Sequence, residues 1–373
     1  MKVAVLSFAQ ECAAAHVRAL RDMPGVDVVT ADPDGPPGDP ARGPAMAERL
    51  GVACASSWDE VFALRPDAVV VTSEAARRRE LVERAAGVGA QVLCALPPAG
   101  EVTDAQAMVD ACQEAGVRLT LASPACFSPA FSAVRRAIAD GDAVGRLMSM
   151  HGSYDTGPGP GYGRDPGPGP APGPSVAQGP VGGGVPATRA AYLLDLVDMV
   201  LGGEPAEQVY AQANNVLGGG DPGFESAALV SVRYASGIVA AVDCTWSASG
   251  NRSAGGGPVM TFVGDSGSVE FTAAPRLLGG FDVAADTERW EAGGADPIAV
   301  MLGEFVTAVG GGPPTGPPTG PHAGSRTGPH AGPLVWPDGA AGVRTMRIVQ
   351  AAYESVRTGQ PVELAVAPAG RRA

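Results

Sequence analysis

The chain has 373 residues, a formal net charge of −13, 45% hydrophobic and only 5% aromatic residues. That charge argues against a nucleic-acid or anionic-membrane partner. No apolar run reaches the ~20 residues of a membrane span, and the apolar start Met1–Leu6 is too short for a signal peptide, so a cytoplasmic chain of two domains is expected.

The first 122 residues alternate strands and helices. Lys2–Leu6, Val26–Ala31, Ala68–Thr72, Gln91–Ala95 and Arg118–Ala122 are valine-rich runs bounded by turns and read as strands. Gln10–Asp22, Ala75–Gly87 and Thr103–Ala115 place apolar residues at three-and-four spacing and read as helices, the last with Thr103 as N-cap and Gly116 just past its end. Such alternation predicts right-handed crossovers and a doubly wound, Rossmann-like parallel sheet over residues 1–122.

Beyond residue 122 the pattern changes. Phe127–Asp140 and Pro186–Leu201 read as helices, followed by period-two strands at Gln208–Asn214, Ser226–Tyr234, Ile238–Trp246, Val259–Val263 and Ser268–Thr272. Ala235-Ser236-Gly237 predicts a hairpin between the second and third of these. An amphipathic helix over Gly342–Thr358 stops at Gly359. Residues 123–373 therefore form an α+β domain with an open, mostly antiparallel sheet covered on one face. Low-complexity insertions near 157–180 and 310–335, centred on the Gly/Pro tract Gly157–Pro174 and the repeats of Gly310–Pro333, are too polar and glycine-rich to fold on their own. His322 and His330 of the second read as linker residues. The six cysteines are scattered and mostly sit in apolar runs, so no disulfide framework and no metal site is expected.

The turn after the first strand is Ser7-Phe8-Ala9-Gln10-Glu11-Cys12. A dinucleotide-binding turn here reads GxGxxG, because glycine permits the tight turn and the close approach of pyrophosphate to backbone. Ser7, Ala9 and Cys12 stand at the three glycine positions; all are small, and Glu11 puts a negative charge at the helix start. Asp32, at the end of the second strand, lies about 20 residues on, where a carboxylate accepts an adenosine ribose and disfavours a 2′-phosphate. It reads equally as the start of a turn. If a cofactor binds, NAD is favoured over NADP.

Several stretches together resemble the glucose–fructose oxidoreductase/inositol dehydrogenase (Gfo/Idh/MocA) family. They are Met1–Leu20, Pro66–Glu83, Gln91–Pro98 with Thr103–Val117, Phe127-Ser128-Pro129-Ala130-Phe131, Gly182-Gly183-Gly184 leading into Tyr192-Leu193-Leu194-Asp195-Leu196, and Ile348–Leu364. The resemblance implies a nucleotide-binding Rossmann domain, a second domain with a large sheet through which copies often associate, and NAD(P)-dependent hydride transfer on a sugar, inositol or related polyol. It places Thr72, Ser73 and Pro97 beside the cofactor.

The family's catalytic lysine sits in a Glu-Lys-Pro motif that corresponds here to Ala95-Leu96-Pro97, so Leu96 replaces it. Its Asp-x-x-x-His pair corresponds to Thr188 and Tyr192; some members carry tyrosine at the last position, which implies Tyr192 as a proton donor. The only lysine of the chain is Lys2. Three readings follow: an oxidoreductase with altered acid–base groups, a pseudoenzyme that keeps the fold as a nucleotide sensor or binding partner, or a drifted paralogue that binds no cofactor. Arg77, Arg78 and Arg79 read as a solvated helix start, the alternative being an arginine that orients a substrate oxygen or an anionic substrate; His16 reads as a packing or surface residue, His151 as the end of a strand, and Asp195 as either a neighbour of Tyr192 or an exposed residue.

Overall fold

The computed structural model describes residues 1–10, 12–141, 143–156, 184–216, 225–246, 257–273, 276–282, 287–311 and 337–365. Glu11, Gly182, Gly183, His322, His330 and nearly all of the two Gly/Pro-rich insertions lie outside them.

The first sheet contains β1 (Lys2–Leu6), β2 (Asp27–Ala31), β3 (Ala53–Ala55), β4 (Ala68–Val71), β5 (Gln91–Ala95) and β6 (Leu119–Ala122), in the order β3-β2-β1-β4-β5-β6. All five pairings are parallel. Runs such as Val3-Ala4-Val5-Leu6 and Ala68-Val69-Val70-Val71 are fully buried, as central strands covered on both faces require. The crossovers are α1 (Ala13–Arg21), α2 (Gly43–Leu50), α3 (Trp58–Ala63), α4 (Ala75–Gly87) and α5 (Val102–Glu114). The strand order reverses at β1, which opens a crevice at the carboxyl ends of β1 and β4.

The expected strands appear within two residues of their predicted ends. The short elements β3, α2 and α3 are not predicted, because three to eight residues are too few for a period to show. Thr103 is not the N-cap of α5. The extended residue before that helix is Glu101 (φ −137°), and the Thr103 hydroxyl donates back to it. Gly116 does follow the helix end in a left-handed conformation, φ +70°.

The second sheet is built from β7 (Leu147–Thr156), β8 (Ala206–Asn214), β9 (Ala227–Tyr234), β10 (Val239–Trp246), β11 (Val259–Gly264), β12 (Ser268–Thr272) and β15 (Val362–Glu363). Their order is β12-β11-β7-β10-β9-β8-β15, antiparallel except for the parallel pair β7–β10. A separate ribbon pairs β13 (Arg276–Asp282) with β14 (Thr287–Ala292). The molecule is thus an α/β protein in which a Rossmann sheet is followed by an open, mostly antiparallel sheet. β7, the longest strand, escapes a propensity reading because it holds only one β-branched residue, Thr156. His151 does not end this strand; it sits in its middle, opposite Ala241, with its ring 3.2 Å from the Ser149 hydroxyl.

The remaining helices are α6 (Pro129–Asp140), α7 (Ala191–Leu201), α8 (Pro297–Val309) and α9 (Gly339–Thr358). The helix expected over Phe127–Asp140 is broken. A 3-10 turn spans Pro124–Phe127, and Ser128 then caps α6 by accepting from the Phe131 amide at 3.1 Å. The helix expected over Pro186–Leu201 begins as a π-helical turn, Pro186–Ala190, that runs into α7. α6, α7 and α9 cover one face of the second sheet, while α8 packs on α1 and α9 on α5. Gly339 and Gly342 permit that last contact: a Cβ there would meet Leu119 and Val109 at 2.8 Å and Leu121 at 2.9 Å. The two sheets therefore share buried apolar contacts. No helix among the described residues is long and apolar enough to cross a membrane.

Candidate active site

At the crevice, Ser7 adopts φ +77°, a left-handed conformation that a β-carbon disfavours and glycine accepts freely. The turn thus keeps the shape of a dinucleotide loop although its first glycine is gone. It is braced from β4: the Thr72 hydroxyl donates to the Ser7 carbonyl at 2.7 Å, and the Gln10 amide donates to the Thr72 carbonyl at 3.2 Å. Phe8 is buried beneath the turn, Ala9 donates its amide to the Ser7 hydroxyl, and α1 begins at Ala13 rather than at Gln10.

Asp32 is both a turn residue and a neighbour of this loop, and its carboxylate is fully engaged. Oδ1 accepts from the Ser7 hydroxyl (2.8 Å) and from Arg42 Nη2 (2.9 Å). Oδ2 accepts from Arg42 Nε (2.7 Å) and from the Gly43 amide (3.0 Å). Burial raises its pKa, but the hydrogen bonds from Arg42, Gly43 and Ser7 outweigh that effect and hold it below the usual carboxylate range. Arg42 also lies 3.1 Å from Glu74, so this guanidinium is shared between two acids. Sequence reasoning missed Arg42, which follows the irregular segment Gly35–Ala41 where no period signals its role.

On the other side of the crevice, Arg78 corrects the reading of three solvated arginines. Arg77 pairs with Asp34 and Glu80, and Arg79 pairs with Glu83 and Asp104, both in exposed positions. Arg78 is fully buried. Its Nε donates to the Ser73 carbonyl at 3.0 Å, and its Nη1 donates to the carbonyls of Ala95 (3.1 Å) and Pro97. It therefore grips the backbone on both sides of Leu96. Leu96 itself is only 5% exposed and supplies no proton-transferring group. The Ser73 hydroxyl is turned to the Glu74 carbonyl. Burial lowers the pKa of Arg78.

The π-helical turn and α7 bring the remaining candidates to this edge. Thr188 points its hydroxyl back at the Gly184 carbonyl, 2.9 Å away, so the position of the family aspartate holds a self-satisfied side chain. Tyr192 stacks edge-on against Tyr154, ring centroids 5.9 Å apart at 86°. Arg189 lies over the Tyr154 ring at 5.3 Å. Burial raises the pKa of the Tyr192 phenol, helped by Cys12 and Tyr154, while the charges of Arg189 and Arg78 pull it down.

Asp195 is neither exposed nor a partner of Tyr192. It is fully buried against α9, where the Thr345 hydroxyl donates to Oδ1 at 2.9 Å, and burial pushes its carboxyl up to about 7. One turn on, Asp198 makes a two-pronged ion pair with Arg344 at 2.7 and 2.8 Å. His16 is buried, and burial lowers its pKa to about 4, with Asp296 opposing; it is a neutral packing residue.

Comparison with known proteins agrees with this architecture. Residues 12–123 match a family model described as an oxidoreductase family with an NAD-binding Rossmann fold, and residues 131–270 match the Gfo/Idh/MocA C-terminal domain. D-apiose dehydrogenase of Paraburkholderia graminis is 26% identical over 94% of this chain and 86% of its own. A 1,5-anhydro-D-fructose reductase of Ensifer adhaerens is 31% identical over 53% of this chain and 57% of its own. Among solved structures, GenD2 from gentamicin A biosynthesis, in complex with NAD, superposes with a TM-score of 0.75 at 20% identity, covering 98% of this chain and 97% of GenD2. A putative myo-inositol dehydrogenase from Sinorhizobium meliloti does so with a TM-score of 0.71 at 19% identity, covering 98% and 100%. With both halves matched in order, the chain belongs to the Gfo/Idh/MocA family of oxidoreductases.

Proposed function

We propose that this protein is an NAD-dependent oxidoreductase acting on a sugar or polyol, with Tyr192 as the proton donor. The observation that carries this reading is the seating of the Tyr192 ring against Tyr154, with Arg189 over that second ring. The sugar substrates named for the curated relatives point to the same class.

The residues present fit a dinucleotide. The left-handed Ser7 keeps the loop in a glycine-like shape, so the Ser7–Gln10 turn holds pyrophosphate, and Thr72, Ser73 and Pro97 flank the nicotinamide. When bound, the nicotinamide supplies or accepts a hydride. Asp32 holds the adenosine ribose once Arg42 shifts to its second acid, Glu74; the negative charge of these two acids favours NAD over NADP. A phenol with a raised pKa keeps its proton through the neutral range and gives it up only to a strongly basic oxygen, which suits an alkoxide forming during carbonyl reduction. Arg78 and Arg189 then stabilise the phenolate left behind. Leu96 and Thr188 take no part in proton transfer.

We place the boundary between the nucleotide-binding and substrate domains at residues 122/123. The outer face of the second sheet exposes Met148, Leu229, Val239 and Val259, and copies of the chain associate through it, in the cytoplasm. The saturated carboxylate of Asp32 favours a second reading, a pseudoenzyme whose nucleotide site stays closed.

Titration with NADH and NADPH, followed by nicotinamide fluorescence and thermal unfolding, separates the two. A ligand at ~100 times its Kd stabilises by about 2.7 kcal/mol. With NADH bound, Tyr192→Phe lowers turnover about 10²–10⁴-fold without changing the Kd for NADH. Absence of any shift with either nucleotide rejects the oxidoreductase reading.

A further inference from the structure

Two guanidinium groups act on Tyr192, and neither has an ion-pair partner among the described residues. Arg42, Arg77, Arg79, Arg84 and Arg344 all find carboxylates within 4.0 Å. Arg78 instead uses backbone carbonyls, and its Nη2 is buried with no hydrogen-bond partner. Arg189 has its face on the Tyr154 ring, and its Nε is likewise buried with no partner.

Leaving a buried guanidinium nitrogen without an acceptor carries a desolvation cost unless one arrives from outside. We infer that the substrate of this site bears a carboxylate and that Arg189 is the residue that binds it. The inference rests on the reading of the Tyr192 region as the substrate site. Stacking occupies the face of the guanidinium and leaves its in-plane N–H groups for a ligand, and that planar fork matches a carboxylate in two parallel hydrogen bonds. Arg189 precedes Tyr192 by three residues in one continuous helical stretch, so a carboxylate held there places the rest of a hydroxy acid beside the phenol. Arg78, sealed from solvent, adds positive charge without touching the ligand. The expected substrate class is therefore a polyhydroxy acid or sugar acid.

The test uses the full chain, with and without saturating NADH, and follows thermal unfolding as gluconate, glucuronate or tartrate is added. Sorbitol, glucose and glucose 6-phosphate serve as neutral and phosphorylated counterparts. The acids are expected to stabilise the protein, less so at high salt, and the other three are not. Arg189→Leu should weaken acid binding about 10- to 100-fold while leaving the Kd for NADH unchanged, and Arg189→Lys should keep part of the binding. The inference is overturned if no acid stabilises the wild-type chain, if sorbitol or glucose 6-phosphate does so as strongly, or if Arg189→Leu binds acids normally. Failure of NADH to bind would reject the oxidoreductase reading alone, since acid binding is also read without cofactor.

Discussion

The two ends of the crevice treat charge in opposite ways. At the adenosine end, Asp32, Arg42, Ser7 and Glu74 satisfy one another, and the one buried carboxylate there has four donors. At the Tyr192 end, Arg78 and Arg189 keep unpartnered nitrogens, and behind Tyr192 the carboxyl Asp195 is buried with an unpartnered Oδ2. A closed network stabilises the empty protein. An open one is stable only at some cost, and such costs concentrate where a ligand or a proton is to be handled. The contrast leaves the Asp32 end a support of the empty protein and the Tyr192 end the one with unpaired charge.

The largest expected effect tests the open end. Asp195 has a folded-state carboxyl at about 7, whereas an unfolded aspartate titrates near ~3.9. Between those values the folded chain holds the proton longer, so the contribution of this carboxyl to stability is fully present below pH ~4 and is lost as the pH rises to ~7. On the order of 4 kcal/mol is lost across that window, because each step of one pH within it costs about 1.4 kcal/mol. Asp195→Asn keeps the acceptor for Thr345 and removes the titration, so its Tm should vary less between pH 5 and 8 and exceed the wild-type value at pH 8. An unchanged slope would show that the Asp195 carboxyl is solvated after all.

At the closed end, Asp32→Ala should cost about 3 kcal/mol in urea unfolding, because it strips Arg42 of its main partner inside a mostly buried pair. Adding Arg42→Leu should recover part of that loss, since the stranded cation is then gone. A double variant no better than the single one would mean that Arg42 contributes by packing rather than by charge. NADH affinity should fall in Asp32→Ala and be retained in Arg42→Leu, which separates the role of the acid from that of its clamp.

Most of the fold was legible and only part of the site. β4, β5 and the helix Ala75–Gly87 announce themselves through valine runs and a long apolar period, and Gly116 and Gly359 mark helix ends because left-handed backbone selects glycine. Leu96, Thr188 and Tyr192 are located only by their correspondence to a family motif. The clamp on Asp32 was not legible, because Arg42 reaches it across ten residues of irregular chain. Arg78 was hidden by its company. Three consecutive arginines at a helix start look alike in sequence, and only the approach of the β5 loop decides which of them is buried. Asp195 was obscured for the same reason, since its burial depends on α9, some 150 residues away in sequence.

The arginine triplet also supplies the smallest predicted effect and a direct check on the contrast. Arg77 is exposed and meets Asp34 and Glu80 in solvent, where side-chain entropy and screening offset most of the attraction. Arg77→Ala should therefore change stability by no more than about 0.5 kcal/mol. Arg78→Met, one residue along, removes the donors that join the carbonyls of Ser73, Ala95 and Pro97 and should cost about 2 kcal/mol, the worth of charged hydrogen bonds less the relief of a desolvated cation. Equal costs for the two variants would place the Arg78 guanidinium among the ordinary supports of the sheet.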